Sequence, residues 1–342
     1  MQLLDLIKEE YKIISIIGMS KNAGKTTTLN EIISEAYEED IPIGISSIGR
    51  DGEALDIVTE TEKPKIWVCE NTYVATAQSL LLLSDANVEI MMTTNYRTPL
   101  GEVVIGKVRS AGYIQLAGPQ TLKEMKKVSE DMLNLGAKFV IIDGSLDRKS
   151  QAAPAISDAT ILATGAAISR DINRVVEETL HTISLLRLKK VEDKYENILK
   201  SLLEENTIAI VDEDFKVERL KYKTALGMGR EISEHIKKNS RYLLIPGSLV
   251  KSTISEILSS MHHYKNLTIA VSDGTKIFIP PKDYLHFLRM GLKLEVVYPI
   301  NLIGVTVNPY SPYGYYFEPE ELLKKMKSYI KDIPVIDIMI GG

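Results

Sequence analysis

The sequence has little of what secreted, membrane-spanning or nucleic-acid-binding proteins contain. Cys69 is the only cysteine in 342 residues, so no disulfide can form within the chain, as is usual in a reducing compartment. No apolar run approaches the ~18 residues that cross a bilayer, and the N-terminal MQLLDLIKEEYK is acidic where a signal peptide is basic. Basic residues are not in excess, because 41 Lys and Arg stand against 46 Asp and Glu, for a net charge of −5. We expect a soluble cytoplasmic protein that binds neither nucleic acid nor membrane.

Apolar runs that alternate with helical patterns predict an α/β fold. The first half has strand candidates at 12–18, 42–48, 65–69, 88–94, 102–108, 112–118, 138–144 and 159–165, and helical patterns near 25–38, 73–84, 119–135 and 170–187. Continuous apolar strands separated by helices are typical of a mostly parallel sheet that is flanked by helices. The runs 102–108 and 112–118, joined by RSA, predict instead a hairpin at the sheet edge.

A charged helical stretch at 189–206 divides the sequence into two parts. We predict a first domain at 1–188, this stretch as a helical connector, and a second, smaller α/β domain at 207–342. The second domain is supported by strand candidates at 207–212, 242–247, 267–274, 292–299 and 303–309, and by helical patterns near 224–238, 248–264, 281–290 and 319–331. We expect it to contact a partner or to regulate the first domain.

The stretch GMSKNAGKTTTLNEI, residues 18–32, has the context of a phosphate-binding loop. It lies between an apolar strand and a helical pattern, as the pattern G-x-x-x-x-G-K-[ST] does. Gly24, Lys25 and Thr26 supply the end of the pattern, but its first position is Met19, and Gly18 comes one residue early. Successive backbone N–H groups and the helix N-terminus would bind phosphate there. The predicted nucleotide-binding residues are Lys21, Asn22, Ala23, Gly24, Lys25, Thr26 and Thr27.

Three side chains are expected to carry the chemistry of such a site. Lys25 would contact the β- and γ-phosphates, and the Thr26 hydroxyl would bind Mg²⁺. Asp143 ends the apolar run KFVIID, where a carboxylate would hold Mg²⁺ directly or through water. No N-K-x-D motif for guanine occurs, which favours ATP and leaves GTP as the alternative.

The loop KNAGKTT, which lacks the first glycine, resembles the P-loop group that includes signal-recognition, MinD-like and BioD-like proteins. The resemblance implies a catalytic and metal-positioning role for Asp51, which lies just beyond the second predicted strand. It also implies that the loop after KFVIIDG senses the γ-phosphate, with Asp147 and Arg148 as candidates. In MinD-like proteins a second lysine, five residues before the P-loop lysine, acts across a dimer. Lys21 is one residue away from that position, so a homodimer is left open.

Two further segments, TNYRTPLGEVVIGKVRSAGYIQLAGP at 94–119 and IIDGSLDRKSQAAPAISDATILATGA at 141–166, resemble the small P-loop subunit of lysine 5,6-aminomutase reactivase. That resemblance implies a chaperone-like ATPase that opens an adenosylcobalamin-dependent mutase and releases the damaged cofactor. It also implies two protein partners, a larger MutS-like ATPase subunit and the aminomutase client. The chain has no D-x-H-x-x-G cobalamin motif, so the cobalamin would belong to the client.

The expected function is a nucleotide-driven switch, and two other functions are kept as alternatives. One is a small-molecule kinase or ligase of the BioD-like type, in which TTNYRTPLGE would form an acceptor pocket through Arg97. The other is a module that binds nucleotide without turnover. The stretch NPYSPYGYYFEPEE at 308–321 has five aromatic residues and is either a binding surface or a loop packed on its own domain.

Overall fold

The structure is a computed structural model, and it describes residues 2–7, 9–48, 66–144, 156–260 and 266–339. The chain divides into two compact units. The first unit combines Met1–Thr179 with Asn301–Gly342, and the second is Leu180–Ile300.

The elements follow one another in an α/β order. Up to residue 186 the chain forms β1 (Ile13–Gly18), α1 (Lys25–Glu38), β2 (Gly44–Ser47), β3 (Ile66–Val68), β4 (Tyr73–Ala77), α2 (Gln78–Leu81), β5 (Asn87–Thr98), β6 (Gly101–Ser110), β7 (Gly112–Ile114), α3 (Leu122–Asn134), β8 (Val140–Asp143), β9 (Ala159–Gly165) and α4 (Ile172–Leu186). It continues with α5 (Asp193–Glu204), β10 (Ala209–Asp212), β11 (Val217–Arg219), α6 (Gly229–Glu234), β12 (Ser240–Leu244), β13 (Leu249–Val250), α7 (Lys251–Ser260), β14 (Thr268–Val271), β15 (Ile277–Phe278), α8 (Pro281–Arg289), β16 (Leu294–Val296), β17 (Leu302–Asn308), α9 (Pro319–Tyr329) and β18 (Val335–Asp337).

The first unit is built on a large, mostly parallel sheet with the strand order β18-β17-β9-β1-β8-β2-β4-β6-β5. The strands from β18 to β4 are parallel, and β6 and β5 are antiparallel at one edge. β1 reads IISIIG and is buried along its whole length, as expected for a central strand with both faces covered. The predicted α/β class with a mostly parallel sheet is confirmed.

Helices α1 and α3 pack on opposite faces of this sheet. Neighbouring residues of a strand point to opposite faces, and in β8 Ile141 joins the cluster that contains Leu29 and Ile32 of α1. Val140, one residue earlier, joins the cluster that contains Val128 of α3. The alternation along one short strand therefore places a helix on each side of the sheet.

Two predictions for the edge of the sheet are wrong. The predicted hairpin between 102–108 and 112–118 does not form, because β6 pairs with β5 and β4, while β7 pairs with β3. The turn before β6 explains this pairing: Thr98 Oγ1 bonds to the Gly101 oxygen, and Gly101 has φ 116°, which suits a tight turn. The predicted helix at 73–84 is mostly wrong, since Tyr73–Ala77 is the buried strand β4 and only Gln78–Leu81 is helical.

The structure also divides the chain differently from the predicted boundaries. β17 pairs with β9 and β18 pairs with β17, so residues 301–342 belong to the first unit rather than to a second domain. The predicted connector contains α5, whose Tyr195, Leu199 and Leu202 are buried in the second unit. Periodicity identifies these strands and helices, but it does not say which sheet they join.

The second unit has its own sheet, with the order β11-β10-β12-β14-β16. β12, β14 and β16 are parallel, whereas β10 is antiparallel to β12 and β11. Its core includes Leu243, Ile269 and Phe287, all with exposed fractions below a twentieth. It is a smaller α/β unit with a mixed sheet.

Glu35 ties the N-terminal segment to α1, and its ionisation should affect stability. Its carboxylate accepts the backbone N–H groups of Leu3 at 2.9 Å and Leu4 at 2.6 Å. Burial is the largest influence and raises the pKa of Glu35 above its ordinary value, while the two N–H donors oppose it. The folded state therefore holds this proton more tightly than the unfolded chain does, and stability from this group falls as the pH rises through that raised pKa.

We accordingly expect the free energy of unfolding of the wild type, measured relative to Glu35→Gln, to decrease as the pH rises from the ordinary range of a glutamate through the raised pKa of Glu35. Chemical denaturation at a series of pH values measures this difference. Glu38→Gln is the control, because Glu38 is exposed on the same helix. A difference that stays constant, or that increases with pH, would contradict the expectation.

Candidate functional site

The candidate site lies at the carboxyl edge of the main sheet. β1 ends at Gly18, a loop follows, and α1 begins at Lys25. β1 pairs with β8 on one side and with β9 on the other, and the chain continues from β1 to β2 beyond β8. After β1 the chain therefore crosses to β2, on the β8 side of β1, and later returns to β9, on the opposite side of β1. Ligands of parallel sheets bind at such a point.

The loop after β1 is fixed by the backbone and contains two residues with positive φ. The Met19 N–H donates to the Ala163 oxygen at 3.0 Å, which ties the loop to β9. Asn22 has φ 61° and Gly24 has φ 101°, values that favour asparagine and glycine. A Cβ at Gly24 would lie 2.8 Å from Cδ1 of Ile338, the residue that follows β18. The positive φ of Gly24 would strain any other residue at this position.

Among the described residues, the cap position of α1 supplies no side-chain hydrogen bond to the start of the helix. Gly24 occupies the cap position and offers no side-chain acceptor, so the first backbone N–H groups of α1 lack a capping side chain. Thr26 is half-buried and Thr27 is exposed within this first turn. An uncapped helix start carries the positive end of the helix dipole and suits an anion such as phosphate.

The structure brings Lys25 and Asp143 together. The Lys25 ammonium donates to the Gly144 backbone oxygen at 2.7 Å and lies 3.5 Å from Oδ1 of Asp143. Both side chains keep some exposure, at 21% and 26%. The residue that starts α1 and the residue that ends β8 thus share one partly open position, with a positive and a negative group side by side.

Gly18, one residue before the first position of the pattern, lies against the side chain of Lys25. A Cβ built at Gly18 would lie 2.6 Å from Cγ and 2.8 Å from Cδ of Lys25. The stem of Lys25 therefore crosses directly over the last residue of β1 on its way to Asp143. The glycine at position 18 leaves space for this stem. It lies one residue before Met19, which occupies the position of the first glycine in the usual pattern.

For the nucleotide hydrolysis that the sequence predicts for this loop, we expect Gly18→Ala to lower turnover by about tenfold or more, because the added methyl group displaces the Lys25 stem. The displaced atoms belong to a flexible side chain, so the change in Tm should be small. Gly247→Ala is the matched control, since no atom lies within 4 Å of a Cβ at that glycine. Steady-state turnover and thermal unfolding of the two variants test this prediction. Full activity of Gly18→Ala would contradict it.

The other predicted site residues divide into two groups. Lys21 and Asn22 are exposed in the loop, and Ala23 is buried beneath it. Asp51, Asp147 and Arg148 lie outside the described residues, so their predicted roles stay predictions.

The donor set at this edge suits a hard cation. Ser47 ends β2 and pairs in register with Asp143, which ends β8. The Ser47 Oγ is buried and has no hydrogen-bond partner among the residues that the structure describes. A hydroxyl without a partner, the Asp143 carboxylate and the Thr26 hydroxyl are oxygen ligands of the kind that Mg²⁺ takes together with phosphate oxygens. Sequence reasoning missed Ser47, because only the strand order places the end of β2 beside β8.

The sequence analysis also did not identify Thr28 and Asn308, which connect the loop to β17. Thr28 Oγ1 bonds to the Gly24 oxygen at 3.0 Å and to Thr306 Oγ1 at 2.8 Å. A Cβ at Gly24 would lie 3.0 Å from Cβ of Asn308. Their positions follow from the return of β17 to the first sheet, which no local sequence signal indicates.

The tyrosine-rich stretch forms a small hairpin next to this edge. Tyr310 and Tyr316 form a β-bridge, and their rings stack at 5.9 Å. The Tyr315 hydroxyl donates to the Ala166 oxygen at 2.6 Å, and Arg170 lies over the Tyr315 ring. Tyr315 therefore packs on its own unit, as one of the two alternatives expected. Tyr310 and Tyr316 remain 46% and 59% exposed, so the hairpin keeps an aromatic surface as well.

Arg97 lies far from the loop. It is on the edge strand β5, opposite Glu102 of β6. The strands β8, β2, β4 and β6 stand between β1 and β5, and five strand spacings amount to about 24 Å. An acceptor pocket formed through Arg97 would thus be remote from phosphates bound at α1.

Comparisons with known proteins do not assign this chain to a family. No protein-family model matches it, and no curated protein matches it. Over the parts of the chain that the structure covers, no helix has the length and apolar character needed to cross a membrane. The described residues also contain no cluster of three or more histidine, cysteine or carboxylate groups that could hold a metal ion.

Proposed function

We propose that this protein is a P-loop nucleoside triphosphatase that acts as a nucleotide-driven switch on a partner protein. The observation that carries the proposal is the position of Lys25. It starts an uncapped helix, crosses Gly18 and meets Asp143 at the end of the neighbouring strand. This is the arrangement that cradles a triphosphate, with a lysine for the phosphates and a strand-ending carboxylate for Mg²⁺.

Different groups of the site would bind the phosphates and the metal. Backbone N–H groups of the loop and of the first turn of α1 would hold the phosphates, and Lys25 would exchange its bond to the Gly144 oxygen for the β- and γ-phosphates. Thr26 and Asp143 would hold Mg²⁺, which neutralises phosphate charge. Water would attack the γ-phosphorus as its bond to the bridging oxygen breaks, giving the diphosphate and inorganic phosphate, with the proton of the water released to solvent.

The same contact suggests how the nucleotide would be sensed. Lys25 binds the backbone oxygen of Gly144, the last described residue before the segment that contains Asp147 and Arg148. When Lys25 turns to a phosphate, that oxygen loses its partner. The exchange of a backbone partner for a phosphate is the event by which Lys25 would signal that the nucleotide is bound.

ATP is the favoured nucleotide, and the tyrosine hairpin is the proposed neighbour of its base. No guanine-reading N-K-x-D motif is present. Asn308 adjoins Gly24, and Tyr310, two residues after Asn308, stacks on the ring of Tyr316. Aromatic rings stack on any base without reading its edge, so GTP is expected to bind with an affinity not far below that of ATP.

A finer proposal names the partner. The segments 94–119 and 141–166 resemble the small P-loop subunit of lysine 5,6-aminomutase reactivase. On that basis the chain would be the accessory subunit that works with a MutS-like ATPase subunit on an adenosylcobalamin-dependent aminomutase. The cobalamin would be bound by the client.

The test of the proposed function is Mg²⁺-dependent hydrolysis of ATP and GTP by the purified protein, alone and with the products of neighbouring genes. We expect slow turnover alone and a rise of about tenfold or more with one partner. Binding without turnover under every condition would contradict the switch and favour a nucleotide-binding module. Turnover that requires a small-molecule acceptor would instead favour a kinase or ligase.

A further inference from the structure

Ser47, the last residue of β2, has a buried hydroxyl group that lacks a hydrogen-bond partner. The residue is 8% exposed, and within the described part of the chain its Oγ makes no hydrogen bond. Buried hydroxyl groups are normally paired, because an unpaired one costs free energy that the rest of the fold must offset. Departures of this kind are typical of positions at which a bound ligand supplies the partner.

The Ser47 side chain points to the face of the sheet that α1 covers. Ile45, two residues earlier on β2, joins the cluster that contains Leu29 and Ile32 of α1. Because alternate residues of a strand share a face, the side chain of Ser47 lies on the α1 face as well.

Ser47 lies beside Asp143 on that face. The two residues are partners in the parallel register of β2 and β8, and neighbouring strands are about 4.8 Å apart. Asp143 shares the face by the same alternation, because Ile141 of β8 also joins the α1 cluster. The Lys25 ammonium is 3.5 Å from Oδ1 of Asp143. The Ser47 hydroxyl therefore lies one strand beyond the carboxylate that meets Lys25.

Contacts on the opposite face fix the end of β2. Ser46 Oγ donates to the Ala75 oxygen of β4 at 2.8 Å. A Cβ at Gly118 would collide with the Ser47 backbone oxygen and lie 2.5 Å from Ser46 Oγ, so the segment after β7 packs directly against this strand end. A side chain on a strand that is held in this way is positioned before any ligand binds.

The order of the strands indicates which end of a nucleotide Ser47 would meet. The loop starts from β1. β9 and β17 lie on one side of β1, with Asn308 beside Gly24, and β8 and β2 lie on the other side. The proposed neighbour of the base is the tyrosine hairpin that follows β17. The phosphate chain would then run toward β8, and its terminal phosphate would come nearest to Ser47.

We propose that the Ser47 hydroxyl donates a hydrogen bond to the γ-phosphate and thereby makes the site prefer a triphosphate to a diphosphate. This inference rests on the proposed function, because it requires a nucleotide at the loop. A phosphate oxygen accepts the proton that is unpaired in the free protein, and hydrogen bonds to charged oxygens are stronger than neutral ones. A metal ion accepts only a lone pair and would leave that proton unpaired.

The test compares the binding of Mg-ADP with that of the Mg complex of a non-hydrolysable ATP analogue, measured by isothermal titration calorimetry on the full chain. We expect Ser47→Ala to weaken binding of the triphosphate by about tenfold or more and to change binding of the diphosphate by less than about twofold. The matched control is Ser46→Ala, which removes the neighbouring buried hydroxyl that already has a partner. It should leave both affinities unchanged.

Thermal unfolding without nucleotide gives a second readout. Ser47→Ala removes an unpaired buried hydroxyl and is expected to raise the Tm by about 1–2 °C. Ser46→Ala removes a hydrogen bond and is expected to lower the Tm. A purely structural role of Ser47 would instead make Ser47→Ala less stable than the wild type.

The outcomes separate this inference from the proposed function. Equal losses for the two nucleotides in Ser47→Ala would place Ser47 on the metal or on the inner phosphates and overturn the inference. No loss for either nucleotide, or a Tm below that of the wild type, would overturn it as well, while the proposed function stands. If the wild type binds neither nucleotide, the proposed function fails and the inference fails with it.

Discussion

Replacing Lys25 with alanine is expected to lower nucleotide turnover by at least about 100-fold. Among the described residues, the Lys25 ammonium lies at the end of β8, 3.5 Å from Oδ1 of Asp143, and Lys25 also starts α1. Its loss would remove the positive charge that we expect to contact the β- and γ-phosphates. Turnover measured by phosphate release, with ATP and Mg²⁺ in excess, tests the prediction.

The control for Lys25→Ala is Lys138→Ala. Lys138 is exposed between α3 and β8 and lies outside the loop and α1. We expect this variant to retain wild-type turnover, and both variants to unfold near the wild-type temperature, because Lys25 lies partly open at the end of its helix. Hydrolysis by Lys25→Ala at the wild-type rate would place the activity elsewhere or assign it to a contaminant.

Gly165→Ala should produce the largest loss of stability among the glycine substitutions considered. Gly165 ends β9, and a Cβ there would collide with the backbone oxygen of Asn308 and lie 2.8 Å from its carbonyl carbon. Backbone cannot move aside as a side chain can, so the ends of β9 and β17 would have to separate. We expect a loss of about 3 kcal/mol in the free energy of unfolding, measured by chemical denaturation.

Gly304→Ala is the matched comparison, because Gly304 also lies in the β9–β17 pair. A Cβ there would lie 2.6 Å from Cδ1 of Leu6, the far end of a side chain that can turn away. We expect its loss to be smaller than that of Gly165→Ala by about 1 kcal/mol or more. Equal and small effects would contradict the pairing of β17 with β9, and with it the return of residues 301–342 to the first unit.

Elements with a strong local pattern could be predicted from the sequence. The apolar run at 12–18 and the helical pattern at 25–38 correspond to β1 and α1, and Asp143 lies at the end of β8 as expected. Their signals are local: a continuous apolar run, a glycine with positive φ before a helix, and a carboxylate after a buried strand. The proximity of Lys25 to Asp143 follows from these signals and the parallel strand order.

The features that could not be predicted depend on contacts between distant segments. β4 reads YVATA and is buried at every position, so it lacks the alternation that identifies a half-exposed strand. β17 was predicted as a strand, but its pairing with β9 brings together residues 302–308 and 160–165. Ser47 and Asn308 reach the site only through such pairings.

The binding of Mg-ATP to wild type and to Lys25→Ala, measured by isothermal titration calorimetry, tests most directly whether this loop is a triphosphate site. We expect one site per chain in the wild type. We also expect tighter binding with Mg²⁺ than without it, and binding about tenfold or more weaker in Lys25→Ala. Binding of equal strength in the two proteins, or no binding by the wild type at millimolar nucleotide, would contradict the assignment of this loop as a triphosphate site.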